Sequence, residues 1–209
     1  DGQRGTGAGM TGTDEGDDLS TESRVNDFAF KVATVNGTGS ASANGLILKT
    51  IHRMGVPVSG KNVFPSNIQG LPTWYELRVN RKGYLARSPR FDLIVAMNPS
   101  TYAVDVAEVQ PGGWILYDDS WPLNKTLIRS DVTYLNIPFA RLCVGKFAGS
   151  RERVLMKNIT YAGALGALIG LDMDIVRGLL EETFSRKKAL LESNYVAVKL
   201  GYDYARAHL

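Results

Sequence analysis

A chain of 209 residues, 44% hydrophobic and 22% charged, carries enough apolar material for one sizeable core. Its net charge of +3, with no basic tract interleaved with aromatics, argues against a nucleic-acid partner. A single cysteine excludes an internal disulfide and any multi-cysteine zinc site or cysteine-ligated iron–sulfur cluster held by this chain alone, and two scattered histidines suggest no metal site.

Residues 1–26 are rich in Gly, Thr, Asp and Ser and read as a flexible leader ahead of a domain over 27–209. Phe28 to Val35 is the first predicted strand, and a helix follows over 41–54, with Ala43, Ile47, Ile51 and Met54 on one face. Gly55 and Pro57 end it. Gly60 to Pro72 holds two prolines, several amides and further glycine, and reads as a long loop. Trp74 to Val79 alternates as a strand, Arg81-Lys82-Gly83 as a hairpin turn, and Tyr84-Leu85-Ala86 as the returning strand. Phe91 to Met97 is a central strand, and a helix runs from Asn98-Pro99-Ser100 to about Val109, closed by Pro111-Gly112-Gly113.

Trp114 to Tyr117 and Val132 to Ile137 are further strands. Asp118-Asp119, between them, reads as a solvated strand-end turn in preference to an acid–base pair. Cys143 reads as a small core residue. Helices follow from about Ser150, from an Asp172 N-cap to Phe184, and from Arg186 to Ala207. Gly163 with Ala167, and Gly166 with Gly170, place small residues one turn apart, as in close helix packing. Ala162 to Leu171 is too short to cross a bilayer, so no membrane partner is expected, and a reducing cytoplasm suits the cysteine content. The order of elements predicts an α/β three-layer sandwich, a mixed sheet with helices on both faces.

The run Val32 to Gly45 organises the rest: an apolar strand, a turn of small residues, then a helix. That is how nucleotide-binding α/β domains begin, because glycines permit a sharp corner and the helix start presents free N–H groups to an anion. The dinucleotide fingerprint is incomplete. Gly37 and Gly39 supply two glycines, Ser42 stands at the third, and Gly55-Val56-Pro57-Val58 offers no carboxylate about 20 positions on. A tight turn without a ligand remains the alternative.

Three ordered blocks resemble the gamma domain of 2-oxoacid:ferredoxin oxidoreductases, in the branch that fuses this domain ahead of the alpha portion, as in 2-oxoglutarate:ferredoxin oxidoreductase. They are Gly37-Thr38-Gly39-Ser40-Ala41-Ser42-Ala43-Asn44, Met54 to Asn62, and Phe64 to Trp74; Val95-Ala96-Met97-Asn98-Pro99 and Gly112-Gly113 extend the likeness. Many relatives carry Arg-Gly-Gly in the second loop, where this chain has Gln69-Gly70-Leu71. The resemblance implies a Rossmann-like fold of the pyruvate-ferredoxin oxidoreductase domain III type. It also implies a place in a complex that decarboxylates a 2-oxoacid, passes electrons to ferredoxin and transfers the acyl group to coenzyme A. Thiamine diphosphate, Mg and the [4Fe-4S] cluster would sit on alpha and beta segments, because this chain has no G-D-G thiamine motif and no cysteine set.

On that reading Gly37, Gly39, Ser40 and Ser42 would meet a phosphate or pantetheine carbonyl of coenzyme A. Lys61 would offer a charge, Ser66, Asn67 and Gln69 loop contacts, and Asn98 a group beyond a central strand. Each has a plainer alternative: Lys61 a solvated charge, Asn67 and Gln69 partners of their own loop's backbone, Asn98 a helix-start cap. Two rival functions stay open, a non-catalytic scaffold with a vestigial turn and a self-contained nucleotide-binding oxidoreductase.

Overall fold

A computed structural model describes residues 26–64 and 68–209. The expected leader, apart from Asn26, lies outside the described residues, as do Ser66 and Asn67. Among the described residues there are six strands: β1 (Asp27–Val35), β2 (Val58–Val63), β3 (Pro72–Asn80), β4 (Phe91–Ala96), β5 (Val109–Asp118) and β6 (Thr133–Ile137). They form one sheet in the order β2-β3-β1-β4-β5-β6. β1, β4, β5 and β6 run parallel, while β3 is antiparallel to both β1 and β2. The mixed sheet is the expected one.

The central strands are apolar on both sides because both faces are covered. In β4, Leu93 and Val95 point into one core and Ile94 and Ala96 into the other. The larger core holds Phe30 and Val32 of β1 against α1 (Ser40–Arg53), α4 (Ser150–Ile169), α5 (Met173–Thr183) and α6 (Lys188–His208). The smaller core packs Ala29, Ile94 and Ile115 against Tyr102 and Val106 of α2 (Tyr102–Glu108). A short α3 (Phe139–Val144), which the sequence reading did not foresee, follows β6.

Three expectations need correction. Tyr84-Leu85-Ala86 forms no returning strand. The turn is there, with Gly83 at φ 80° and its N–H on the Asn80 carbonyl at 2.9 Å, but both edges of β3 are already taken by β2 and β1. Residues 84–90 instead pass beside the sheet, held by the paired Arg87 and Glu76 and by Ser59 Oγ donating to the Leu85 carbonyl at 3.2 Å. The expected loop 60–72 is partly strand: Gly60–Val63 belongs to β2, whose polar sequence suits an exposed edge. A Cβ on Gly60 would overlap the hydroxyl end of Tyr75, which would have to move. Pro111-Gly112-Gly113 does not close α2 but lies inside β5, where the register with β4 shifts between Phe91 and Leu93.

The expected end of α1 and start of α5 are found: Gly55 follows α1 at φ 80°. Asp172 caps α5, its Oδ1 accepting from the N–H groups of Asp174 at 2.8 Å and Ile175 at 3.2 Å. Asp172→Ala is expected to lower stability by about 1 kcal/mol in urea unfolding, and Asp172→Asn by only a few tenths.

Candidate functional site at the carboxyl end of the sheet

The strand-to-helix corner is built by two left-handed glycines. Gly37 has φ 84° and Gly39 φ 85°, a region where an L side chain costs roughly 1–2 kcal/mol. Thr38 between them folds back, its N–H at 3.3 Å and hydroxyl at 2.7 Å from the Val35 carbonyl. Asn36 ties the corner to the second loop: its N–H meets the Leu71 carbonyl at 2.8 Å, and its carbonyl accepts from Gly70 N–H at 3.0 Å. The corner then delivers the start of α1, which no side chain among the described residues caps; there the Ser42 N–H turns back to the Gly39 carbonyl at 3.2 Å. A helix start of this kind attracts negative charge through its unpaired N–H groups and dipole.

The facing wall is the end of β4. Asn98 is buried, and its Oδ1 accepts from Ser100 N–H at 3.1 Å and Ser100 Oγ at 2.8 Å. It thereby caps the 3₁₀ turn Pro99–Thr101, while its Nδ2 donates to the Thr34 carbonyl at 3.4 Å. The helix-start alternative for Asn98 is therefore what the structure contains. α1 leaves β1 on one face of the sheet and α2 leaves β4 on the other. The gap between the two strand ends is a topological switch point, where open sheets bind ligands.

The predicted site residues divide into groups. Gly37, Gly39 and Ser40 share the corner. Ser40 is buried, its Oγ accepting from Thr34 Oγ1 at 3.0 Å. Gln69 reaches back over the corner: a Cβ on Gly37 would come within 2.6 Å of its Cγ. Ser42 is exposed at the mouth of a 220 Å³ groove between α1 and α5. Lys61 is not brought to the crevice. Its register neighbours are Glu76 and then Lys31, four residues or about 13 Å back from Val35, beside Arg87 on the side of the sheet that carries α2.

Three residues of α4 were missed. Leu155 covers Gly39, where a Cβ would approach its Cδ2 to 2.6 Å. Asn158 is buried and donates from Nδ2 to the Thr38 carbonyl at 2.6 Å. Lys157 reaches Asp118 Oδ2 at 3.3 Å. Asp118 is fully buried, which corrects the solvated strand-end turn; its Oδ1 accepts from Ser120 Oγ at 2.9 Å. Asp119 pairs with Arg141 at 2.5 Å. The signal in the sequence was slight: an amide and a lysine opening the apolar run of α4, and a carboxylate closing the apolar run of β5.

Beneath the Asn98 wall sits a second buried carboxyl. Asp105 of α2 is fully buried and accepts from Trp74 Nε1 at 2.9 Å and Thr101 Oγ1 at 2.6 Å. Burial pushes its pKa up to about 6 against the pull of those hydrogen bonds and of Lys31. Lys31 itself is buried, paired with Glu108 and lying 5.0 Å from the centre of the Trp74 ring. Cys143 is buried beside Thr160, and burial raises its thiol pKa, as befits a core residue. Among the described residues no group of three His, Cys, Asp or Glu side chains is placed to hold a metal, and no helix is long and apolar enough to cross a membrane.

The domain is an open α/β sheet wound in two directions from a glycine corner. The chain belongs to the pyruvate ferredoxin/flavodoxin oxidoreductase family, whose sequence profile matches residues 29–204. It is 21% identical over 147 residues to the 2-oxoglutarate oxidoreductase subunit KorA of Mycobacterium tuberculosis, covering 62% of this chain and 22% of the relative. It is also 21% identical over 217 residues to the alpha subunit of 2-oxoacid:ferredoxin oxidoreductase 2 of Aeropyrum pernix, covering 86% and 34%. This chain therefore spans about a third or less of these curated relatives. The fold matches the 2-oxoglutarate:ferredoxin oxidoreductase of Magnetococcus marinus, solved with 2-oxoglutarate, coenzyme A and succinyl-CoA bound. There the TM-score is 0.79 at 23% identity, over 88% of this chain and 32% of that one. It matches the pyruvate oxidoreductase subunit PORC of Thermotoga maritima at a TM-score of 0.68 and 15% identity, over 86% and 97%. The gamma subunit of the keto/oxoacid ferredoxin oxidoreductase of Geobacter sulfurreducens gives 0.67 and 17%, over 86% and 99%.

Proposed function

We propose that this chain is the gamma-type component of a 2-oxoacid:ferredoxin oxidoreductase, with 2-oxoglutarate as the acid and succinyl-CoA, CO2 and reduced ferredoxin as products. The domain over 27–209 forms one wall of the coenzyme A site and helps assemble the complex; it is not catalytic by itself. Thiamine diphosphate, Mg and the [4Fe-4S] cluster belong to alpha and beta segments, through which ferredoxin is reached, and the complex is cytoplasmic. The observation that carries this reading is the corner Gly37–Ser42: two left-handed glycines present an uncapped helix start at the switch point. An anionic acyl carrier suits such a place better than a dinucleotide, given Ser42 at the third glycine position and the missing ribose carboxylate. The Magnetococcus marinus enzyme, which shares the fold, was solved with coenzyme A bound.

Ser42→Asp in the assembled complex tests the reading. An acid in the first turn of α1 favours the helix, so folding is kept, but it repels a phosphate at the same N–H groups. The apparent affinity for coenzyme A is expected to fall roughly tenfold, about 1.4 kcal/mol, while Lys61→Ala leaves it unchanged. Unaltered affinity in Ser42→Asp would exclude the corner from the carrier site. It would leave the scaffold reading, which the packing of Leu155 and Gln69 over the glycines favours.

A further inference from the structure

The α2 side of the crevice contains a hydroxyl with two acceptors and one proton. Thr101 Oγ1 lies 2.6 Å from Asp105 Oδ2 and 3.0 Å from the Asn98 carbonyl oxygen. Only one of the two can receive the hydroxyl proton at a time. When Asp105 is ionised it accepts only, so the proton goes to Asp105 and the Asn98 carbonyl keeps just the Thr101 N–H, at 3.1 Å. When Asp105 is protonated its new O–H donates to Thr101 Oγ1, and the Thr101 hydroxyl turns to the Asn98 carbonyl. The balance is one proton taken from solvent and carried on Oδ2; no other bond to hydrogen breaks. Trp74 Nε1–H donates to Oδ1 in both states.

We propose that Asp105 is a proton-linked positioning residue: through Thr101 it sets the hydrogen bonding of the Asn98 corner, and with it the shape of the β4 wall of the crevice. Asn98 is where this matters, because its side chain caps the turn Pro99–Thr101 and ties that wall to Thr34 of β1. The two states thus differ at a residue that touches both sides of the switch point. The charged and titratable groups facing Asp105 are Lys31 from β1 and, on its own helix, Glu108 and Tyr102. Lys31 and Glu108 pair with each other, Tyr102 donates to the Trp121 carbonyl at 2.9 Å, and Glu76, the register neighbour of Lys31, is held by Arg87. Asp105 is left as the group that burial sets to titrate close to neutrality.

The test is heteronuclear NMR of the full chain between pH 4.5 and 8. The Trp74 indole resonance and the Ser100 and Thr101 amides are expected to shift together, with one proton per step and a midpoint near pH 6. Asp105→Asn, whose amide donates to Thr101 permanently, is expected to lose all three titrations and to hold the low-pH resonance positions throughout. Thr101→Val removes the hydroxyl at nearly constant shape; it is expected to keep the Trp74 titration and lose the Ser100 response. Should Ser100 stay still in the parent chain, or keep titrating in Thr101→Val, the link from Asp105 to Asn98 is wrong. This test needs no ligand, so it stands apart from the coenzyme A reading. A second measurement rests on that reading: in the complex, the pH dependence of coenzyme A affinity around pH 6, beyond the part that the carrier's own phosphate monoester contributes with its second pKa of about 6, is expected to be lost in Asp105→Asn. Survival of that dependence alongside a normal NMR result would place the carrier away from the β4 wall.

Discussion

Replacing Gly201 by alanine is expected to lower the thermal unfolding midpoint by about 6–12 °C, the equivalent of about 3 kcal/mol in a chain of this size. A Cβ on Gly201 of α6 would overlap the Thr160 carbonyl oxygen of α4 and stand 2.8 Å from its carbon and 2.9 Å from Ala164 N. The contact is reciprocal. A Cβ on Gly163 of α4 would overlap the Val198 carbonyl oxygen, 2.7 Å from its carbon and 3.0 Å from Tyr202 N. Every atom met is backbone, so no side chain can turn aside, and the helices must separate. Separation strips contact from Ala164, Ala197 and Val198 together, all buried at this crossing. Gly163→Ala is therefore expected to match Gly201→Ala. The double variant should cost clearly less than twice either one, since one separation accommodates both methyls. Differential scanning calorimetry reads all three; a Gly201→Ala chain melting within about 2 °C of the parent would show that the crossing is not tight.

Lys157→Met is expected to cost about 3 kcal/mol at neutral pH, because it leaves the buried Asp118 carboxylate without its cation. Ser120 still bonds to Oδ1, but Oδ2 has lost its partner. Adding Asp118→Asn to Lys157→Met removes the buried charge and should recover most of the loss. Urea denaturation of the single and double variants measures the coupling directly. Equal stability of the two would mean that solvent reaches Asp118 once the lysine is shortened, and that the pair matters little to folding.

The fold was more legible in the sequence than the site. Strand and helix periods are repeated many times over, so a run such as Phe91 to Met97, or the spacing of Ala43, Ile47 and Ile51, states its structure redundantly. Where the reading failed, the deciding partner lay far along the chain. Tyr84 to Ala86 looks like the second arm of a hairpin until β2, which precedes β3 in sequence, and β1 are seen to occupy both of its edges. Gly60–Val63 has the composition of a loop and becomes strand because β3 offers it a ladder of hydrogen bonds. The glycine corner was legible because left-handed backbone selects glycine locally. Its walls were not. Leu155 and Asn158 reach the corner from a helix more than a hundred residues later, and no local pattern marks a side chain for a contact at that distance. The misplacement of Lys61 has the same origin: its nearness to the second loop in sequence says nothing about which face of the sheet it joins.

That position gives Lys61 a plainer duty. Among the described residues β2 ends the sheet, and one row of its peptide groups has no strand of those residues beside it. A cation and a glycine in the middle of this border make docking of a further strand unfavourable, the first by charge and the second by offering no side chain to grip. Among the described residues, that border is therefore a poor template for a strand from a second copy of the chain.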